Sequence, residues 1–373
     1  MPENPLVAVS TGFAFRLFAE LVGRQPAANI FVSPASVALA LAMAYDGARG
    51  ETRRAMAEAL GLGRLGAEDV GRTAAELLQS LDLADPQVRL TIASSLWAGD
   101  GVVFEPAFVR HGQERYRAEI EQLEPGGADA AAAVNAWVQR RTGGKIAQIV
   151  DQIDPAVALL LINAIYFKGS WARKFDQRLT SERPFALLDG RRKPHPLMSQ
   201  SGMYQYYDGR GFQAVRLPYS GGRLSMYVFL PAPRSSLAAF YAELSSRSWE
   251  SWMGRFHVSE GEIALPRFKL EYEVRLNDAL KALGMAAAFG ERADFSGMAR
   301  GERLRIDEVK HKTFVEVGEE GTEAAAVTAA PMVLGAFMPE ERFSMVVDRP
   351  FFCAIRDDQT GAVLFMGSIV EPK

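Results

Sequence analysis

Gly318-Glu319-Glu320-Gly321-Thr322-Glu323-Ala324-Ala325-Ala326-Val327-Thr328-Ala329-Ala330-Pro331-Met332-Val333-Leu334-Gly335-Ala336-Phe337-Met338-Pro339-Glu340-Glu341-Arg342 fits neither an ordinary helix nor an ordinary loop. Strand-like runs flank it, Thr313-Phe314-Val315-Glu316-Val317 before and Phe343-Ser344-Met345-Val346-Val347 after. One reading is a helix over 323–330 capped by Thr322, because alanine has the highest helix propensity. That helix would have almost no apolar face to bury. The other reading is a strand that starts exposed and later joins a sheet. Successive strand residues point to opposite sides, so Thr322, Ala324, Ala326, Thr328 and Ala330 would share one face. All are small and uncharged, while Glu323 falls on the opposite face with Ala325, Val327 and Ala329. A strand pushed between two others must bury a face free of large or charged groups, since an unpaired buried charge is costly. After Pro331 the run Met332-Val333-Leu334-Gly335-Ala336-Phe337-Met338 is apolar yet loop-like, which suits a segment meant to be grasped.

The rest of the chain gives this segment a globular host. It has 373 residues, 48% apolar and 23% charged, so there is ample material for a core and disorder is excluded as the dominant state. Lys and Arg number 42 against 45 Asp and Glu, a net charge of −3. That balance argues against a nucleic-acid binder and against a polybasic membrane binder. No apolar run reaches the roughly 18 residues of a membrane span. Residues 1–4 carry no signal-peptide pattern. The compartment is therefore cytoplasmic if Met1 is the native start and extracellular if a signal was removed.

Chemistry motifs are scarce. The one cysteine, Cys353, sits in the apolar run Pro350-Phe351-Phe352-Cys353-Ala354-Ile355 and reads as a core residue; it allows no intramolecular disulfide. His111, His195, His257 and His311 show no paired metal-ligand spacing, so no metal site and no cofactor is expected. There is no G-x-S-x-G elbow and no phosphate-binding loop. Gly61-Leu62-Gly63-Arg64-Leu65-Gly66 fits G-x-G-x-x-G, but a helix precedes it, so it reads as a helix cap and loop. Arg191-Arg192-Lys193 follows Asp189-Gly190 and reads as a solvated turn.

Periodicity predicts helices near 13–21, 51–60 (ended by Gly61) and 129–141 (stopped by Gly143-Gly144). Ser33-Pro34 reads as a helix start, and residues 37–43 are apolar all round, so that helix should be deeply buried. Residues 88–93 alternate as a strand. The nearly continuous apolar run 158–167 fits a strand covered on both faces. Short strands follow at 211–217, 224–230 and 263–270, a helix at 276–283, and closing strands at 343–347, 351–356 and 363–370. Helices and strands mix throughout, with no linker and no repeat, which indicates one α+β domain over 1–373.

Five blocks in this order and spacing carry a resemblance. They are Asn29-Ile30-Phe31-Val32-Ser33-Pro34-Ala35-Ser36; Asn135-Ala136-Trp137-Val138 with Thr142-Gly143-Gly144-Lys145-Ile146; and Leu161-Ile162-Asn163-Ala164-Ile165-Tyr166-Phe167-Lys168-Gly169-Ser170-Trp171. The other two are His311-Lys312 with Glu319-Glu320-Gly321-Thr322-Glu323-Ala324-Ala325-Ala326, and Asp348-Arg349-Pro350-Phe351 with Phe365-Met366-Gly367. Over nearly its whole length the chain resembles a serpin, and its Ala- and Arg-rich composition points to a prokaryotic member.

The resemblance implies three β-sheets, about eight to nine helices and an exposed reactive-centre loop at about 318–342. It also implies no enzyme activity of its own. The expected function is suicide-substrate inhibition of a serine endopeptidase. The target attacks the loop, forms an acyl-enzyme through its own nucleophile, and is trapped when the cleaved loop inserts into the main sheet. The implied partner is that protease, in a covalent complex with a monomer. The implied hinge is Gly321, Thr322, Glu323, Ala324, Ala325 and Ala326. The implied sheet-opening cluster is Ser33, Ser36, Asn163 and His311, and the insertion-start region is Trp171 with an Arg267–Glu319 ion pair. Family spacing puts the reactive bond at Gly335-Ala336, with Leu334, Phe337 and Met338 as alternatives. Residues 321–339 hold no Lys or Arg, which disfavours a trypsin-like target. Small residues favour an elastase- or subtilisin-like one, use of Leu334 or Phe337 a chymotrypsin-like one, and a cysteine protease stays open. Residues 67–83 show no basic helix of the heparin-binding kind. The alternative reading is a non-inhibitory serpin, a ligand carrier or chaperone-like binder, cleaved without trapping its protease.

Overall fold

The structure is a computed structural model that describes residues 5–63, 65–83, 85–123, 127–301, 303–322 and 342–373. Helix α1 (Pro5–Arg24) precedes the short strand β1 (Ile30–Val32), and α2 (Pro34–Gly47), α3 (Gly50–Leu60) and α4 (Ala67–Ser80) follow. Strand β2 (Val88–Ala98), α5 (Pro106–Tyr116), β3 (Glu119–Gln122) and α6 (Gly127–Arg141) lead to β4 (Leu159–Ser170). Strands β5 (Ser181–Ala186), β6 (Arg192–Gly209), β7 (Phe212–Pro218) and β8 (Leu224–Pro231) run as successive hairpins. Next come α7 (Leu237–Glu243), α8 (Ser246–Met253), β9 (His257–Pro266), β10 (Phe268–Arg275) and α9 (Asn277–Leu280). The chain closes through β11 (Ile306–Gly318), β12 (Gly321–Thr322), β13 (Phe343–Val346), β14 (Phe351–Asp357) and β15 (Val363–Ile369).

The strands form two hydrogen-bonded ladders among the described residues. One runs β10-β11-β12-β4-β2-β3, with β11 also pairing β4 directly. The other runs β1-β15-β14-β8-β7-β6-β9-β13, with β5 on β6. Three separate sheets were expected. The difference lies in β6, whose 18 residues pair first with β5, then with β9, and at the end with β7. That continuity joins two sheets into one ladder.

Strand β4 explains its own unbroken apolar run. Leu159, Leu161, Ile165 and Phe167 belong to the main core. Leu160, Ile162, Ala164 and Tyr166 belong to a second core under α6, with Trp97, Trp137 and Val138. Both faces are dry, so the period-two pattern of a half-exposed strand disappears. Helix α2 starts as predicted, with Ser33 as N-cap accepting the Ser36 N–H and Pro34 in the first turn. It is buried along almost its whole length. Gly61 closes α3 at φ 77°, so the glycine-rich match there is a helix end.

Some expectations need correction. Residues 263–270 are not one strand: β9 ends at Pro266 and β10 begins at Phe268. The alternation of apolar residues continues across the break, but Pro266 ends the first ladder and Arg267 turns the chain into the other sheet. The 276–283 helix is regular only over α9; a wider turn follows over Lys281–Met285, with Gly284 at φ 104°. In the basic run, Arg191 sits in the turn on Asp189, but Arg192 and Lys193 begin β6, and Lys193 pairs Glu371 at 3.2 Å. Cys353 is a core residue, its thiol pushed up to about 12 by burial.

Candidate functional site

The head of the six-stranded ladder is where β11 turns back on itself. After Gly318 the chain makes a tight turn through Glu319 and Glu320 and returns as the two-residue strand β12. Thr322 pairs with Val317 on one side and Gly169 on the other; Gly321 pairs with Gly318 and Ser170. The first hinge residues are thus already a strand between β11 and β4. Both are buried, which corrects the expectation of a loop exposed from its start. Gly321 has φ 147°, and a Cβ there would stand 2.1 Å from the Gly169 carbonyl oxygen, so only glycine fits.

Trp171, Tyr219, Arg267 and Thr180 fix this turn from outside it. The Trp171 backbone N–H donates to Glu320 O at 2.8 Å, and its indole Nε1 donates to Gly318 O at 2.9 Å. The indole stacks on Tyr219, centroids 4.6 Å apart and planes 10° apart. Tyr219, fully buried, places its hydroxyl 2.8 Å from Thr322 Oγ1. Glu319 is buried, and its Oε1 accepts from Arg267 Nε at 2.7 Å, from Arg267 Nη2, and from Thr180 Oγ1 at 2.6 Å. Burial pushes the Glu319 carboxyl up, but these hydrogen bonds outweigh it and hold it below its ordinary range. Trp171, Arg267 and Glu319 are brought together as expected. Arg267 stays 44% exposed, so the pair is screened from one side.

Below the turn, β4 and β11 pair directly and in parallel, with Asn163 opposite His311. Around them Ser33, Ser36, Asn163 and His311 all have no exposed surface. Ser33 N–H donates to His311 Nε2 at 3.0 Å, so that nitrogen carries a lone pair and Nδ1 carries the proton. Nδ1 donates to Asn163 Oδ1 at 2.7 Å. Asn163 Nδ2 donates to Ser36 O at 3.2 Å and to Ser94 Oγ at 3.0 Å, with Ser36 Oγ 2.7 Å away. Burial keeps the imidazole neutral, its pKa pushed down to about 3. The four predicted residues therefore meet at one point, on the seam between β4 and β11 and against the start of α2.

The family comparison fits this geometry. The serpin family model, described as serine protease inhibitor, matches residues 8–372. The chain belongs to the serpin family. It is 36% identical to the leukocyte elastase inhibitor of Sus scrofa over 98% of this chain and 99% of that protein. Among solved structures it is similar to the thermophilic serpin tengpin in its native state, with a TM-score of 0.91, 28% identity, and coverage of 100% and 95% of the two chains. It is also similar to human thyroxine-binding globulin in complex with thyroxine, with a TM-score of 0.90, 26% identity, and coverage of 99% and 98%.

In this serpin, the hinge residues Glu323, Ala324, Ala325 and Ala326 and the reactive-bond candidates Leu334, Gly335, Ala336, Phe337 and Met338 lie outside the described residues. Arg342, at the end of the loop, pairs Glu260 at 2.8 Å. Four contributors escaped sequence reading: Ser94, Thr180, Tyr219 and Thr313, whose hydroxyl donates to Phe31 O. Parity could have suggested Thr313, two residues beyond His311 on the same face of a strand. Nothing local marks the other three, which arrive from other elements. Among the described residues no cluster of His, Cys, Asp and Glu suits a metal.

Proposed function

We propose that this serpin inhibits serine endopeptidases as a suicide substrate, acting as one domain and as a monomer until the covalent complex forms. The observation that carries the reading is β12, two hinge residues seated between strands that pair directly below them. Carried onward, its register would set Ala324 between Val315 and Phe167, Ala326 between Thr313 and Ile165, and Thr328 between His311 and Asn163. Thr322 faces the main core through Tyr219, so Ala324, Ala326, Thr328 and Ala330 would face it too. A hydroxyl would then enter the seam where its polar groups must be re-paired, and small apolar residues would enter elsewhere.

In the proposed reaction the protease serine adds to the Gly335 carbonyl. The amide to Ala336 breaks, and the new amine leaves on the segment 336–373, as in any acyl transfer. The ester to Gly335 then travels with the inserting strand. The absence of Lys and Arg from 321–339 supports an elastase-, subtilisin- or chymotrypsin-like target. The test is incubation with elastase, subtilisin, chymotrypsin and trypsin, followed by denaturing gels and mass spectrometry of the released peptide. A band near the summed masses is expected, with a peptide starting at Ala336. Clean cleavage with no such band and no loss of protease activity would replace this reading with the carrier or chaperone-like one.

A further inference from the structure

A cavity of about 290 Å³ opens beside the hinge turn, walled by the indole of Trp171 together with Phe175 and Leu217. Met203 and Val258 stand at its lining, 55% and 56% exposed, two of the five strongly exposed large hydrophobic side chains among the described residues. Two other lining residues each keep a buried oxygen without a hydrogen-bond partner, Gln200 Oε1 and the Tyr204 hydroxyl. Both residues are 7% exposed. An orphaned buried polar atom is destabilising and calls for a reason.

The charges at the cavity are unequal. Arg216 pairs with Asp358 at 2.8 Å, a carboxylate that it shares with Arg356. Arg173 has no carboxylate within ion-pair distance among the described residues; it donates to Ser201 O and lies 6.0 Å over the Tyr204 ring. The space it occupies exists because residue 202 is glycine, where a Cβ would stand 1.8 Å from Arg173 Nη1.

We infer that this cavity binds a small amphipathic anion, a carboxylate on an aromatic or aliphatic body. The body packs on Trp171, Phe175 and Leu217, with Met203 and Val258 as a rim; the carboxylate takes Arg173; an N–H or O–H on the ligand satisfies Gln200. The volume lies at the small end for ligand sites, which fits a compound of a few rings and excludes a protein segment as the main occupant. The site shares Trp171 with the hinge turn but binds with no protease present, so its test is independent of the inhibitory reading.

The experiment titrates 6-hydroxynaphthalene-2-carboxylate into the full chain by calorimetry, with 6-(hydroxymethyl)naphthalen-2-ol as the uncharged control. One saturable equivalent of the carboxylate is expected, with weaker binding of the alcohol. Arg173→Gln should weaken carboxylate binding about tenfold, the worth of a charge-assisted hydrogen bond. Gly202→Ala should do the same by displacing the guanidinium while leaving its charge, and melting curves check that both variants fold. No saturable binding to the folded wild type, equal affinity for acid and alcohol, or affinity unchanged in both folded variants would overturn the assignment.

Discussion

A buried imidazole that accepts a backbone N–H on one nitrogen and donates from the other has no room for a second proton. His311 is in that position, and gaining a proton would break the Ser33 contact and bury an unpaired charge. Its pKa is about 3 in the folded chain against 6.5 for an unperturbed imidazole. Between those values the unfolded chain holds a proton that the native state lacks. Native stability therefore falls as pH drops from about 6.5 toward about 3, with no further loss below that. The term is on the order of a few kcal/mol. Melting midpoints of His311→Gln and wild type, compared across this range, should show a shallower acid dependence in the variant; parallel curves would contradict the linkage. A second residue-scale test concerns Glu319. Arg267→Ala leaves its buried carboxylate with Thr180 as its remaining side-chain donor, and stability should fall by about 1 kcal/mol, modest because Arg267 is half in solvent. An unchanged melting midpoint would show that the pair is fully screened.

Among the elements, β12 makes the sharpest demand. If its register continues, Ala326→Glu would force a carboxylate between Thr313 and Ile165, and insertion should stall. Mixed with a protease that wild type traps, this variant should give mostly cleaved chain, at least a tenfold drop in the trapped fraction by densitometry. Thr328→Val should leave the uncleaved form's melting unchanged and lower that of the cleaved form, because the polar seam would face an apolar side chain. The sequence made β4 legible because two cores dictate one unbroken apolar run, and it made α2 legible through its Ser33-Pro34 start. It also brought Ser33, Ser36, Asn163 and His311 together on paper, through family resemblance rather than spacing. What stayed hidden was what depends on crossing between sheets. The β9–β10 break keeps the apolar alternation intact through Pro266, so periodicity alone does not see it. Ser94, Thr180 and Tyr219 are ordinary polar residues until packing places them beside Asn163, Glu319 and Thr322.

At the scale of the molecule, the six-stranded ladder holds β12 at its centre for two residues among those described, and below it β11 and β4 close on each other directly. Parting that seam after cleavage to admit a new strand would pair backbone on both of its sides and bury its small side chains against the main core. Cleaved chain should therefore melt on the order of 10 °C or more above intact chain by calorimetry. Coincident melts would mean the loop was cut without insertion. The edge strand β10 is protected meanwhile by alternating Lys269, Glu271, Glu273 and Arg275, which discourage pairing with a second molecule.

The direct pairing of β4 with β11 also makes the protein a gauge of itself. Amide protons of residues 162–165 lie beneath two dry cores and point alternately to β11 and to β2; those bonded to β11 trade with deuterium when the seam parts. Their isotope exchange in the untouched molecule thus counts spontaneous partings, while the amides at the chain ends report only fraying. A molecule whose seam protons persist for days while the loop is intact, and are lost within minutes of loop cleavage, would be displaying its stored conformational work as a clock.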